Sequence, residues 1–293
     1  DLDERIYEVL LSSCSPIRRR RADKVKLFVD ENVAIIELND AENNNALSED
    51  LGSSMLAISS KLASMTTIRS ILLQGKGNHF CVGGSLAARI PSSPSIAAST
   101  LIQSLKGFVN LRDLDVMLFS AVHGKLIGGG IAICKLTDDT SAASKSTFEH
   151  GHIVRGVCPL GMFSHTLVQS MGKSNALRFY LTNEVMTSER ALETHLIDRI
   201  CNDICATQST ALKHAQETRV QRSGVAINST LIAKEAILHA TCRSLQGGKY
   251  ANTSKMTTEA DAMWSSVTIP FALDMSVSVQ ISEDVTEYIR TLH

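Results

Sequence analysis

An α/β fold ending in a helical subdomain is predicted by three observations. From Val25 to Gly75, short apolar runs split by turn residues alternate with a segment of helical periodicity. The same plan recurs between Ser99 and the helix opened by Gly128, Gly129 and Gly130. Beyond Ile200 only helix-like segments follow, which places them together in a C-terminal subdomain.

The elements follow in order. Residues 1–23 form a poor folding segment, with Pro16 beside the basic run Arg18 to Arg21, and read as a flexible N-terminal arm. A solvated basic linker suits that run better than a nuclear address or a phosphate grip. Val25 to Val29, the turn Asp30-Glu31-Asn32, and Val33 to Leu38 make a β-hairpin signature. Ser48, backed by Glu49 and Asp50, starts a helix whose apolar face is Leu51, Met55, Ile58 and Leu62, running to about Ala63. Arg69 to Leu73, closed by Gly75, reads as a buried strand. A helix near Ser99 to Leu111 and a strand near Val116 to Val122 come next. A short strand near Ser141 to Ser144 and helices at Gly161 to Met171, Asn175 to Leu181 and Ser188 to Thr194 precede a last strand at Ile197 to Ile200. Thr207 to Arg222, Asn228 to Ser244, Thr253 to Ser265 and Val277 to Thr291 are all read as helical.

Composition narrows the function. With 293 residues, 44% apolar and 20% charged, the chain can bury one large core. Its net charge of -1, from 29 basic and 30 acidic residues, sets up no overall field toward nucleic acid or an anionic membrane. Aromatic content of 4% leaves few stacking platforms for bases. Neither nucleic acid nor membrane is expected as a partner. The seven cysteines, Cys14, Cys81, Cys134, Cys158, Cys201, Cys205 and Cys242, are odd in number and without CxxC pairing, which suits a reducing compartment. Cytoplasm, organellar stroma or matrix is expected rather than secretion, since Asp1 to Leu11 lacks the basic start of a signal peptide and no apolar run approaches the roughly 20 residues of a membrane helix. An opening Asp leaves a processed protein and a domain of a larger synthase both open.

Two segments share one layout. His79-Phe80-Cys81-Val82-Gly83-Gly84-Ser85-Leu86 and His123-Gly124-Lys125-Leu126-Ile127-Gly128-Gly129-Gly130 each follow a strand with a glycine turn and a helix start. Glycine lets a backbone N–H approach a ligand closely, and the first turn of a helix leaves amides unpaired. Facing one another, two such turns make an oxyanion hole; alternatively, the glycines serve tight packing. Neither turn ends in the GK[ST] of a phosphate loop.

The run Val33 to Asn39, Asn45-Ala46-Leu47-Ser48, Phe80 to Gly84, and Gly124 with Gly128 to Gly130, taken in order, resembles the crotonase (enoyl-CoA hydratase/isomerase) superfamily. Gly156-Val157-Cys158-Pro159 looks like its Gly-x-x-Pro turn, and Thr187 to Ile200 like its Ala-x-x-x-Gly-Leu-Val-Asp segment, with His195 in place of glycine. The resemblance implies a crotonase-like ββα spiral over residues 24–205 and a helical, trimerisation subdomain over 206–293, assembled as a homotrimer or hexamer. It also implies an acyl thioester substrate, carried on CoA or on the phosphopantetheine of an acyl carrier protein, and chemistry at such a thioester oxygen requires no metal or redox cofactor. By match, the amides of Gly84 and Gly129 would hold the thioester oxygen as it becomes an enolate.

Hydratases of that family carry glutamates where this chain has Ala132 and His152, and alanine can move no proton. Ser85 stands where the family has an acidic residue. Decarboxylation survives these losses, because it needs an electron sink and one proton delivered to carbon. In this respect, and in Asp40 to Leu51 and Gly83-Gly84-Ser85, the chain resembles the decarboxylases of polyketide β-branching, which act on 3-methylglutaconyl groups. His152 is the expected proton donor, with a packed histidine beside His150 as the alternative. Arg89 or Arg155 could receive the substrate carboxylate, and Trp264 stands near the place of a C-terminal histidine that those decarboxylases are thought to use. An isomerase or dehydratase using His152 alone, and an inactive scaffold subunit, are the other readings. His150, His152 and His165 lack a third close ligand for a metal. Ser120, Ser146 and Ser164 lie in no nucleophile-elbow context, and Cys81 and Cys134 fall where small core residues suit.

Overall fold

The computed structural model describes residues 7–8, 24–84, 103–114, 116–155, 159 and 161–220. Arg89 and Trp264, the Gly156 to Cys158 turn and the helices expected beyond residue 222 lie outside the described residues.

In chain order the elements are β1 (Tyr7–Glu8), β2 (Val25–Asp30), β3 (Val33–Leu38), α1 (Glu49–Ala63), β4 (Ser70–Gly75), α2 (103–110), β5 (Met117–Val122), β6 (Lys125–Ile127) and α3 (Gly129–Cys134). They continue with β7 (Asp139–Ala143), β8 (Thr147–Glu149), α4 (Phe163–Thr182), β9 (Val185–Thr187), α5 (Ser188–Glu193), β10 (Arg199–Cys201) and α6 (Ile204–Val220). A two-strands-then-helix plan recurs as β2-β3-α1, β5-β6-α3 and β7-β8-α4.

The hairpin turns where expected: Glu31 takes a left-handed φ of 52°, and β2 pairs antiparallel with β3 from Val25 opposite Leu38 to Asp30 opposite Val33. Tyr7–Glu8, inside the N-terminal arm, adds an antiparallel edge strand to β2. From β3 the sheet turns parallel, in the order β1-β2-β3-β4-β5-β7-β10. Ser48 caps α1 as its hydroxyl accepts from the Leu51 amide at 3.2 Å, and Leu51, Met55, Ile58 and Leu62 are buried. The two helices expected between 161 and 181 form α4, broken at Gly172, whose φ of 74° and ψ of 160° interrupt the ladder.

Side-chain alternation divides the central sheet between two cores. Ala34, Ile36, Leu38, Ile71, Leu73, Leu118 and Val122 face the larger one, together with α1 and α3. Val33, Ile35, Leu72, Phe119 and Ala121 face the smaller, where α6 lays Ala211 and Ala215 on the sheet. The Ser70 hydroxyl donates to the Ala215 carbonyl at 3.1 Å and the Gln216 amide to Asp30 at 2.9 Å, so residues up to 220 pack with the sheet. The sequence reading missed a second sheet of three short strands, β6-β8-β9, whose β6 follows β5 directly and bridges, Leu126 to Cys81, the segment that follows β4.

Candidate active site

Because β4 and β5 are parallel neighbours, from Ser70 opposite Met117 to Gln74 opposite Ala121, the chain leaves both at the same edge of the sheet. That carboxyl edge is where open α/β sheets commonly bind ligands. Both glycine turns start there. The Phe80 amide donates to the His123 carbonyl at 2.9 Å, Cys81 forms a parallel bridge with Leu126, and the turns continue side by side.

Contact between the turns is too close for side chains. A Cβ placed on Gly83, where φ is 81°, would lie 2.4 Å from the Ile127 carbonyl oxygen and 3.3 Å from the Gly129 amide nitrogen. On Gly130 it would lie 2.0 Å from the Cys81 oxygen. Gly128 has φ 48° and ψ -105°, open essentially to glycine alone. A third segment completes the enclosure: the Leu47 amide donates to the Gly83 carbonyl at 2.7 Å, Leu47 bridges Gly84 in parallel, and its Cδ1 would meet a Cβ on Gly129 at 2.5 Å. Around a Cβ on Gly84 no atom of the described residues comes within 4 Å. The amides of Gly84 and Gly129 donate to no backbone carbonyl among the described residues, and the first bond of α3 runs from the Ala132 amide to the Gly128 carbonyl at 3.0 Å. With six residues, α3 adds little dipole of its own.

Asn45 ties together the segments behind this assembly, a role the sequence reading, which quoted it only within the family motif, did not assign. Fully buried at φ 53°, it accepts from the Asp40 amide at 2.8 Å and donates to the carbonyls of Lys76 at 2.9 Å and His79 at 2.8 Å. The Asn43-Asn44-Asn45 triplet was the available signal, since asparagine tolerates the left-handed region that Asn44 and Asn45 both occupy.

His152 packs onto the second turn. Its Cε1 would lie 2.9 Å from a Cβ on Gly128 and its Nδ1 3.3 Å, so glycine at 128 makes room for the ring. His152 Nδ1 lies 2.8 Å from the His150 carbonyl oxygen and 3.1 Å from His150 Nδ1. His150 is buried, stacked on Phe163 at 4.8 Å between centroids and edged by Phe179 and Tyr180. Burial above all, then the neighbouring His152, pushes its pKa down to about 3, so it is neutral at physiological pH. His123, between β5 and its turn, is also held below its usual range by burial, with Nε2 2.9 Å from the Gly77 carbonyl.

The model of the family described as enoyl-CoA hydratase/isomerase matches residues 29–261. The chain belongs to this family. The Mycobacterium tuberculosis protein named "Probable enoyl-CoA hydratase EchA14" is 24% identical to it over 181 residues, 62% of this chain and 71% of that protein. The ethylmalonyl-CoA decarboxylase of Rattus norvegicus is 28% identical over 189 residues, 63% of this chain and 62% of that protein. Among solved structures, the enoyl-CoA hydratase/isomerase from Pseudoalteromonas atlantica superposes with a TM-score of 0.70 at 20% identity, covering 92% of this chain and 97% of that one. The fold is the crotonase fold.

Within this family member, the expected site residues divide. Gly84 and Gly129 lie on adjoining turns, and His152 touches the second of them. Ala132 is fully buried in the larger core, one turn into α3. Arg155 closes a 3-10 turn, Ile153–Arg155, directly after His152. The cysteines beside the turns are core residues: burial pushes the Cys81 thiol up to about 12 and raises that of Cys134. Ser120 is tied into a buried hydroxyl cluster with Thr137 at 2.9 Å and Thr140 at 3.1 Å. Among the described residues, no three His, Cys, Asp or Glu side chains gather as metal ligands would.

Proposed function

We propose that this enoyl-CoA hydratase/isomerase family member decarboxylates a carboxylated acyl thioester, of the 3-methylglutaconyl type, on CoA or on a carrier-protein phosphopantetheine. The amides of Gly84 and Gly129 would accept the thioester oxygen as negative charge develops there. Each such donor is worth about 2.7–4 kcal/mol in the transition state. In the proposed step the bond between carboxylate and acyl chain breaks, CO2 leaves, and its electron pair passes through the chain to the thioester oxygen. His152 then delivers a proton to carbon and recovers one from water.

One observation carries this reading: two glycine turns locked side by side, where, among the described residues, no atom would meet a side chain at Gly84 and the Gly129 amide is given to no backbone carbonyl. Decarboxylation is favoured over hydration by the methyl group at Ala132. A carboxylate there would repel a substrate carboxylate 4 Å away by about 4 kcal/mol at an effective dielectric of about 20. The rat ethylmalonyl-CoA decarboxylase among the relatives supports the same choice. Arg155, three residues after His152, is the cation we assign to the leaving carboxylate. A homotrimer or hexamer is the assembly we expect, to be read by native mass.

The test is incubation of the purified chain with 3-methylglutaconyl-CoA, ethylmalonyl-CoA and the corresponding pantetheine esters, following loss of CO2 by mass spectrometry. Turnover of one of these with no hydration of crotonyl-CoA is the expected result. Hydration of crotonyl-CoA without CO2 release would overturn the reading. Migration of a double bond in a 3-enoyl-CoA would replace it with an isomerase, and binding of none of them would leave a scaffold subunit.

A further inference from the structure

We infer that His150 is a positioning residue for His152: its ring and its carbonyl both accept from His152 Nδ1–H, which fixes the His152 tautomer and leaves Nε2 as the nitrogen that exchanges protons. The inference rests on the proposed role of His152 as proton donor. Its evidence is the arrangement of the pair.

Two acceptors converge on one nitrogen. The His150 carbonyl oxygen, 2.8 Å from His152 Nδ1, can only accept, so His152 Nδ1 carries a hydrogen. His150 Nδ1, 3.1 Å from the same atom, must then present its lone pair, which puts the His150 proton on Nε2. The surroundings keep it so. His150 is 1% exposed, stacks on Phe163 and meets Phe179 and Tyr180 edge-on, an apolar cage that opposes a charge on its ring. Among the described residues, the titratable rings against it are His152 and Tyr180. When His152 takes a second proton, the charge therefore stays on His152, where two acceptors stabilise Nδ1–H and the Nε2–H bond is the one that breaks as the new C–H bond forms. After transfer, His152 returns to the neutral Nδ1–H form.

Position is fixed as well. The His152 ring lies against Gly128, whose amide donates to the Glu149 carbonyl at 3.0 Å, and the Gly151 amide is held by Asn183 Oδ1 at 2.7 Å. The segment carrying both histidines is thus pinned on either side of His150. Ring rotation of His152 would forfeit both Nδ1 contacts.

The experiment is NMR of the full chain with 15N-labelled histidine, the His152 signals being assigned by their loss in His152→Ala. In the wild type at neutral pH, His152 is expected as the Nδ1–H tautomer and His150 as the Nε2–H tautomer, neutral throughout the His152 titration. An Nε2–H tautomer for neutral His152, or protonation of His150 ahead of His152, would overturn the inference with no further variant needed. His150→Leu should lower the His152 midpoint by about one pH unit, and His150→Asn, whose amide oxygen can stand where Nδ1 was, should restore it. An unchanged midpoint in folded His150→Leu would also refute it. Where CO2 release is measurable, His150→Leu should reduce kcat roughly tenfold with KM unmoved and shift the pH profile by the same amount. If the tautomers are as expected and no thioester is decarboxylated, the decarboxylase reading fails and the histidine pair stands.

Discussion

Replacing Gly83 with alanine would put a methyl group 2.4 Å from the Ile127 carbonyl oxygen and 3.3 Å from the Gly129 nitrogen, both main-chain atoms. Neither can swing aside as a side chain would. Ile127 is paired with Glu149 in the small sheet, and the next amide, Gly128, is bonded to the Glu149 carbonyl, so the two turns must separate as a unit. A carbon–oxygen contact needs roughly 3.2–3.5 Å, so the separation is about 1 Å. A left-handed residue with a side chain costs about 1–2 kcal/mol, and displacing packed main chain about 1–3 kcal/mol more. Gly83→Ala should therefore lose about 2–5 kcal/mol of stability in urea denaturation. Since a shift of 1 Å between catalytic groups can cost about a hundredfold in rate, turnover of the responsive thioester should fall by that order in the protein that remains folded. Gly84→Ala is the control: a methyl there meets nothing within 4 Å among the described residues and keeps the amide, so stability should stay within about 0.5 kcal/mol of wild type. Equal stability of Gly83→Ala and wild type, or a loss in Gly84→Ala as large as in Gly83→Ala, would refute the reasoning that the turns are locked by contact.

The remaining predictions concern Asn45 and His150. Asn45→Ala removes three hydrogen bonds joining residues 40, 76 and 79, and should cost about 2–4 kcal/mol in a urea or thermal melt. Asn45→Asp, which can still accept from Asp40 but no longer donate to Lys76 and His79, should fall between alanine and wild type. His150, at about 3 when folded against 6.5 unfolded, contributes stability that is whole above pH 6.5 and lost as pH falls toward 3, because the unfolded chain binds the proton first. About 3 kcal/mol should be gone by pH 4.5, read as the difference in pH slope between wild type and His150→Leu in urea midpoints. Parallel slopes for the two proteins would show that His150 is not held neutral by the fold.

Much of the frame was legible in the sequence because its causes are local. Ser48 with Glu49 and Asp50 marks a helix start through a cap that needs only the next three residues, and the structure places that cap as read. The turn Asp30-Glu31-Asn32 and the apolar runs beside it fix the hairpin in the same way. The small sheet was not legible: β6, β8 and β9 have three residues each, too short for alternation to register, and they pair across long stretches of chain. Nor was the placement of α6 legible, since its contact with the sheet is made mainly by the small side chains of Ala211 and Ala215, four residues apart, with Leu212 beside them. The His150 cage draws Phe163, Phe179 and Tyr180 from α4, and a sequence shows no sign of which distant helix will cover a histidine.

The same distinction separates the parts of the candidate site. Amides brought together by turns leave a mark, because close main-chain approach demands glycine wherever it occurs. Gly83, Gly124 and Gly130 would each meet backbone oxygen at 2.4 Å or less, and Gly128 would meet a histidine ring. Those glycines are explained by packing alone. Gly84 is not: its φ lies outside the left-handed region, and no described atom comes within 4 Å of where its side chain would be. A larger residue at 84 would meet nothing among the described residues, so they supply no packing reason for glycine there. The proposed chemistry does, since an acyl group approaching the Gly84 amide would need the space that any side chain would fill.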